Sequence, residues 1–193
     1  MTDGRFRLPV LVVFMAIVAG AASFLAPQSS ARRAKREKSG RIQKIDKAEG
    51  ARLLRKIGDW RRKTWHWQEL MGRPHTPHSG DPPPSLAYRR WVLHLWTQRE
   101  LHTRRQAFHP PHLAAWLCIH RYEGSWTDPN PPYFGGLQMD LGFQRTYAPE
   151  LVDRKGTADK WSPLEQIWVA ERAYQSGRGF YPWPNTARYC GLL

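Results

Sequence analysis

The chain has 193 residues, 41% of them apolar and 24% charged, which excludes a wholly disordered chain and a polytopic membrane protein and leaves room for one modest domain with extensions. Thirty Lys and Arg against 16 Asp and Glu give a formal net charge of +14. The excess is segregated: residues 1–112 hold 22 basic and 8 acidic side chains, residues 113–193 eight of each, so a plain nucleic-acid-binding reading averages over two different segments.

Residues 8–26, LPVLVVFMAIVAGAASFLA, carry no charge and follow Arg5 and Arg7. The pattern fits a secretory signal peptide, with Ala19-Gly20-Ala21 as a weak cleavage site, and equally one membrane-spanning helix. Residues 1–28 are therefore assigned to a signal peptide or membrane anchor. The basic run from Arg32 to Lys47 would favour the cytoplasmic side by charge counting. The cysteine pair and the chemistry of the C-terminal part favour export, either secreted or anchored in the cell envelope.

Residues 29–112 read as a basic helical stalk. Ile42, Ile45, Leu53, Leu54, Ile57 and Trp60 recur at helical spacing and predict a helix from Gly40 to Met71. Residues 72–85, rich in proline, form a linker. A second helix is predicted from Leu86 to about Phe108, with Tyr88, Trp91, Val92, Leu95 and Trp96 on one side. As a spacer, the stalk would pack its apolar stripes on each other or on the domain. As a binding surface, Lys and Arg with interleaved Trp suit anionic lipid headgroups or anionic wall polymers as well as nucleic-acid phosphates. For an exported chain the envelope polyanions are the accessible partners. The pairs His75/His78 and His109/His112 lack carboxylate or cysteine support, so no metal site is expected.

Residues 113–193 form the neutral domain, which holds both cysteines, Cys118 and Cys190. Two buried thiols and a disulfide stapling a small exported domain are both compatible with that usage. Leu113 to Glu123 reads as a helix ending at Gly124. Trp116, Ile119 and Glu123 share one face, so Glu123 closes an apolar stripe. A carboxyl group set against apolar surface loses water, which favours its protonated form, and a protonated carboxyl near neutral pH can serve as a general acid. An exposed glutamate near a helix end fits the same spacing. After a proline-rich loop, Tyr133-Phe134-Gly135-Gly136-Leu137-Gln138 suggests a tight turn where backbone approaches something closely. Gln138 has a donor and an acceptor suited to sugar hydroxyl and N-acetyl groups. A helix is predicted from Pro163 to Ser176, with Trp161 and Trp168 in the core.

Taken in order, Cys118-x4-Glu123-Gly-Ser-Trp126, Tyr-Phe-Gly-Gly-Leu-Gln138, Ser162-Pro-Leu-Glu165-Gln166, Ala170-Glu171-Arg172, Gly177-Arg-Gly179 and Trp183-Pro184 leading to Cys190-Gly191 resemble the transglycosylase-like domain of resuscitation-promoting factors, within the lysozyme superfamily. The resemblance covers residues 113–193 and none of the stalk. That family usually shows Glu-Ser-Gly-Gly-Asn-Trp or Tyr; here the motif is Glu-Gly-Ser-Trp, one residue shorter, with Gly and Ser exchanged. The resemblance implies an α+β, mostly α, lysozyme-like domain that cleaves peptidoglycan glycan strands at the β-1,4 bond after N-acetylmuramic acid. It gives Glu123 the catalytic place and Gln138 a substrate-contacting place. Gly135 and Gly136 would let the glycan approach the backbone, and Trp126 and Tyr133 would be cleft aromatics. Cys118 and Cys190 match the family's disulfide positions.

Lysozymes with a second carboxylate place it shortly before the glycine of the Gly-x-Leu-Gln strand, where this chain has Tyr133 and Phe134. Asp128 lies among loop prolines and Asp140 follows the strand motif as a turn residue. A one-glutamate mechanism follows, without metal or organic cofactor. Two other functions fit the same residues. One is a non-catalytic glycan-binding module, marked by wall binding without product. The other is a basic membrane- or polyanion-binding protein, marked by salt-sensitive binding through residues 29–112.

Overall fold

The computed structural model describes residues 26–83 and 85–193. The apolar leader segment, save Ala26, lies outside the described residues. The expectation of a transmembrane helix is corrected: among the described residues no helix is long and apolar enough to cross a membrane. The longest is α1, Ala26–Leu70, 45 residues that carry Lys and Arg throughout from Arg32 to Lys63. Such side chains are costly in hydrocarbon, so length alone does not make a span.

The chain divides into two units, Met1–Asp46 and Lys47–Leu193. In the first, the described residues are the opening turns of α1, and every side chain from Ser29 to Asp46 is exposed. The helix begins well before Gly40, the start predicted from periodicity. Residues 29–39 lack an apolar stripe, but Ala, Arg, Lys, Gln and Glu are good helix formers in their own right.

In the second unit, the rest of α1 is followed by α2, Leu86–Ala107, capped by Ser85, whose Oγ accepts from the Tyr88 N–H. Leu53, Ile57, Thr64 and Leu70 are the buried line of α1. On α2 the buried line is Trp96, Glu100, Thr103 and Ala107. The predicted face differs: Tyr88, Trp91 and Leu95 are exposed. The packed face of α2 includes polar residues, partly satisfied by nearby groups. Trp67 Nε1 donates to Glu100 Oε1 at 3.1 Å, and Thr103 Oγ1 donates to the Arg99 carbonyl at 2.8 Å.

Five helices and one small sheet complete the unit: α3 (Leu113–Glu123), β1 (Tyr133–Phe134), β2 (Met139–Asp140), α4 (Leu141–Tyr147), α5 (Pro149–Lys155), α6 (Pro163–Ala173) and α7 (Pro184–Tyr189), with a 3-10 turn at Ala158–Lys160. The two strands pair antiparallel, Tyr133 opposite Asp140 and Phe134 opposite Met139. The fold is thus α+β and mostly α. Trp116, Ile119, Leu137, Met139, Trp161, Val169, Phe180 and Trp183 centre the core. Helix α6 opens on a capping box, Ser162 with Glu165, and ends at Ala173 rather than Ser176. Beyond it the backbone widens through Tyr174–Arg178 and breaks at Gly177, φ 96°.

Two contacts tie α1 and α2 to this core. Trp168 of α6 packs with Leu70, Met71 and Ala107, and its Nε1 donates to the Ala107 carbonyl at 2.7 Å. Arg172 donates through Nη2 to the carbonyls of Glu69 (2.7 Å) and Leu70 (3.2 Å), which serves carbonyls at the C-terminus of α1 that have no partner in the helix.

Candidate functional site

Helix α3 is anchored at its start so that its end is fixed. The Glu171 carboxylate, fully buried on α6, accepts from the His112 backbone N–H at 2.8 Å, from Trp116 Nε1 at 2.9 Å and from His112 Nδ1 at 3.1 Å. This satisfies a buried charge and an orphan N–H of the first turn together. In the middle of α3, Cys118 is disulfide-bonded to Cys190, the residue that closes α7. At its last residue, Glu123 Oε1 accepts from the Thr186 hydroxyl of α7 at 2.7 Å. The disulfide and this hydrogen bond hold α7 beside α3 and leave Glu123 half-buried where the two meet.

Glu123 has no ion-pair partner among the described residues, and its only hydrogen-bond donor is a hydroxyl. A hydroxyl donor suits both the carboxylate and the carbonyl oxygen of the neutral acid. The second oxygen is left to give or take a proton.

Gly124, with φ 152°, turns the chain away from α3 and brings two polar side chains close. A Cβ at this position would lie 3.4 Å from Gln138 Nε2 and 3.6 Å from Asp128 Oδ2. Gln138 donates both amide hydrogens within the protein, to Asp128 Oδ2 and to the Gly135 carbonyl, each at 2.9 Å. Both partners are acceptors, which fixes the orientation of the amide. What Gln138 presents to a ligand is therefore its carbonyl oxygen. Asp128, the loop carboxylate, is committed on both oxygens: Oδ1 receives the Asn130 N–H at 3.1 Å and the Asn130 side-chain amide. It orients Gln138 through one oxygen and holds Asn130 through the other.

The glycine pair serves a close approach inside the protein. Gly135 adopts φ 73°, and a Cβ there would lie 2.5 Å from Gln166 Oε1. A Cβ on Gly136 would lie 2.6 Å from both His120 Nδ1 and Trp126 Cε3. Gln166 is fully buried on α6; its Oε1 accepts from the Gly136 N–H at 2.8 Å, and its Nε2 donates to the Trp126 (2.8 Å), Ala158 (2.9 Å) and Trp161 (3.2 Å) carbonyls. His120 donates from Nδ1 to the Gly136 carbonyl at 3.0 Å and stacks on Trp126, centroids 3.8 Å apart. Trp126 thus braces the turn from behind.

A cleft of about 320 Å³ opens in front of it, lined by Tyr133, Gln138, Asp140, Phe143, Arg178 and Trp183 among others. Tyr133 is half exposed on its wall, and Trp183 is fixed by donating Nε1 to the Leu137 carbonyl at 2.6 Å. Asp140 caps α4 by accepting from the Phe143 N–H at 2.7 Å. Glu123 and Trp126 are not among the lining residues; Glu123 is linked to them through the chain, by Gly124, which packs against Gln138, and by Thr186, which lies three residues after Trp183. Of the residues singled out from sequence, Gln138 and Tyr133 line the cleft, while Glu123, Gly135, Gly136 and Trp126 do not. Sequence reasoning missed Thr186, His120 and the role of Gln166. Their contacts span 63, 16 and 30 residues and leave no local pattern.

Among the described residues no group of three or more His, Cys, Asp or Glu side chains is arranged to hold a metal ion. Comparison with protein-family models, curated proteins and solved structures finds no match.

Proposed function

We propose that residues 113–193 cleave the β-1,4 bond after N-acetylmuramic acid in peptidoglycan glycan strands, with Glu123 as the sole general acid and base, in the exported part of a cell-envelope protein. The observation that carries the reading is the setting of Glu123. It is half-buried, has no ion-pair partner among the described residues and is oriented by one neutral hydroxyl, and the next residue, Gly124, packs against Gln138, which lines a cleft with Tyr133, Phe143 and Trp183.

A bound strand would place its glycosidic oxygen at the unshared oxygen of Glu123. Protonation there releases the leaving sugar as an alcohol. The C1 cation character that develops is quenched by the 6-hydroxyl of the same muramic residue, whose proton returns to Glu123 as the C1–O6 bond forms. The nucleophile is already tethered, so the protein supplies proton transfer and orientation. Asp128 is engaged by Asn130 and Gln138 and Asp140 caps α4, so the proposal gives neither carboxylate a part in the chemistry.

The test is muropeptide release from purified cell wall by the wild type and by Glu123→Gln. The wild type is expected to release products ending in the anhydro sugar. The variant, folded and disulfide-bonded, is expected to release none; undiminished release would end the proposal. Wall binding by the wild type with no product would leave a glycan-binding module instead.

A further inference from the structure

A second cleft, of about 410 Å³, opens between α1 and α2 and shares no residue with the site around Glu123. Two half-buried indoles, Trp60 and Trp67, form its apolar wall, with Glu100 beside them and Arg62, Lys63 and Arg104 around them. Glu100 is only 2% exposed. Its Oε1 is taken by Trp67 Nε1, and its Oε2 has no hydrogen-bond partner among the described residues. The cation nearest to it, Arg104, stands 3.9 Å from Oε1, beyond hydrogen-bonding distance. A buried carboxylate oxygen without a donor is costly, and a donor brought by a ligand removes that cost.

The three kinds of group around this cleft select one ligand chemistry. The free carboxylate oxygen asks for a hydroxyl or N–H. The indole faces suit the C–H face of a sugar ring. The surrounding cations repel an ammonium group: Lys63, exposed and lying 4.5 Å over the Trp60 ring, has no acidic partner among the described residues, whereas Arg62 is held by Asp59. They favour a carboxylate instead. We infer that this cleft binds an acidic sugar, with ring hydroxyls to Glu100 Oε2, the apolar face on Trp60 and Trp67, and the carboxylate to Lys63 and Arg104. If the reading of the preceding subsection holds, the sugar is N-acetylmuramic acid, whose lactyl group carries the carboxylate, and α1 and α2 grip the same polymer that the cleft near Glu123 cuts. The source of the sugar rests on that reading; the chemistry of the cleft does not.

The test uses the full-length chain labelled with 15N at its indoles, titrated with the N-acetylglucosamine–N-acetylmuramic acid disaccharide, with chitobiose as the same scaffold lacking the carboxylate, and with digalacturonate as an unrelated acidic sugar. The Trp60 and Trp67 indole signals are expected to shift with the muramic disaccharide, and chitobiose is expected to bind about tenfold more weakly. Lys63→Ala, a change at an exposed position, is expected to weaken binding about two- to fivefold and to reduce its salt dependence. Glu100→Gln is expected to weaken it about tenfold. Equal binding of chitobiose, or shifts that spare Trp60 and Trp67, would overturn the inference. Digalacturonate binding as tightly as the muramic disaccharide would keep the acidic-sugar site and remove its link to the wall. The readout is confined to Trp60 and Trp67, in a cleft that shares no residue with the site around Glu123, so a failure of the cleavage proposal alone would leave these shifts in place.

Discussion

Replacing Gln166 by Leu isolates what holds the glycine turn. Leu is one bond shorter but of roughly the same volume, so the change leaves little cavity and acts chiefly on hydrogen bonds. Gly136 is buried and its N–H has Gln166 Oε1 as its partner; after the change that donor is orphaned, at about 1–3 kcal/mol. The Trp126 and Trp161 carbonyls lose their bonds from Nε2, at about 0.5–1 kcal/mol each, while the Ala158 carbonyl keeps the Trp161 N–H. The expected loss is about 3 kcal/mol, which for a chain of this size lowers the unfolding midpoint by about 6–12 °C. Urea titration followed by near-UV circular dichroism gives the loss. Native-state hydrogen exchange of the Gly136 amide shows where it falls. A loss under about 0.5 kcal/mol, or unchanged protection of that amide, would refute the account of the turn.

Thr186→Val removes the hydroxyl from Glu123 at nearly constant volume; muropeptide release is expected to slow about tenfold with the fold intact, and an unchanged rate would show that Glu123 is oriented by something else. Reducing the Cys118–Cys190 bond, 72 residues apart in sequence, is expected to cost about 4 kcal/mol by the chain-entropy model, read as the shift in urea midpoint with and without reductant. Burial works against the charge on Glu165, but hydrogen bonds from Lys155 and Ser162 and the charge of Lys155 outweigh it and hold the carboxyl below its usual value of 4.5. A carboxyl depressed on folding contributes stability that is complete above its unfolded value and lost as the pH falls through its folded value. Glu165→Gln is therefore expected to flatten the acid limb of the stability curve below about pH 4.5, and an unaltered limb would place the acid sensitivity elsewhere.

The legible parts of the fold are those with a local signature. A glycine after an apolar stripe marks the end of α3 at Glu123–Gly124, and Ser162-Pro163 with Glu165 marks the start of α6. The first turns of α1 carry charges without an apolar period, so periodicity has nothing to detect there. On α2 the aromatic run Tyr88–Trp96 suggests the packed face, yet of that run only Trp96 is buried, and the buried line continues through Glu100, which accepts from Trp67 of α1, and Thr103. In the site, the residue types of Glu123 and Gln138 announce themselves. Their orientation does not: it comes from Thr186, Asp128 and Gln166, each brought in from a different segment. The glycine pair reads as a close backbone approach in sequence, but what approaches is decided only by α6 and α3.

The seam at Trp168 sets the limit on how this protein can be cut into pieces. A fragment starting at Leu113 would carry Trp168 with its indole N–H deprived of the Ala107 carbonyl and its face stripped of Leu70, Met71 and Ala107. Arg172 would lose the two carbonyls it caps at the end of α1. Such a fragment would present an oily, donor-rich scar and tend to self-associate. A fragment starting near Lys47 keeps that seam closed, and it is the better starting point for expression, crystallisation and directed evolution.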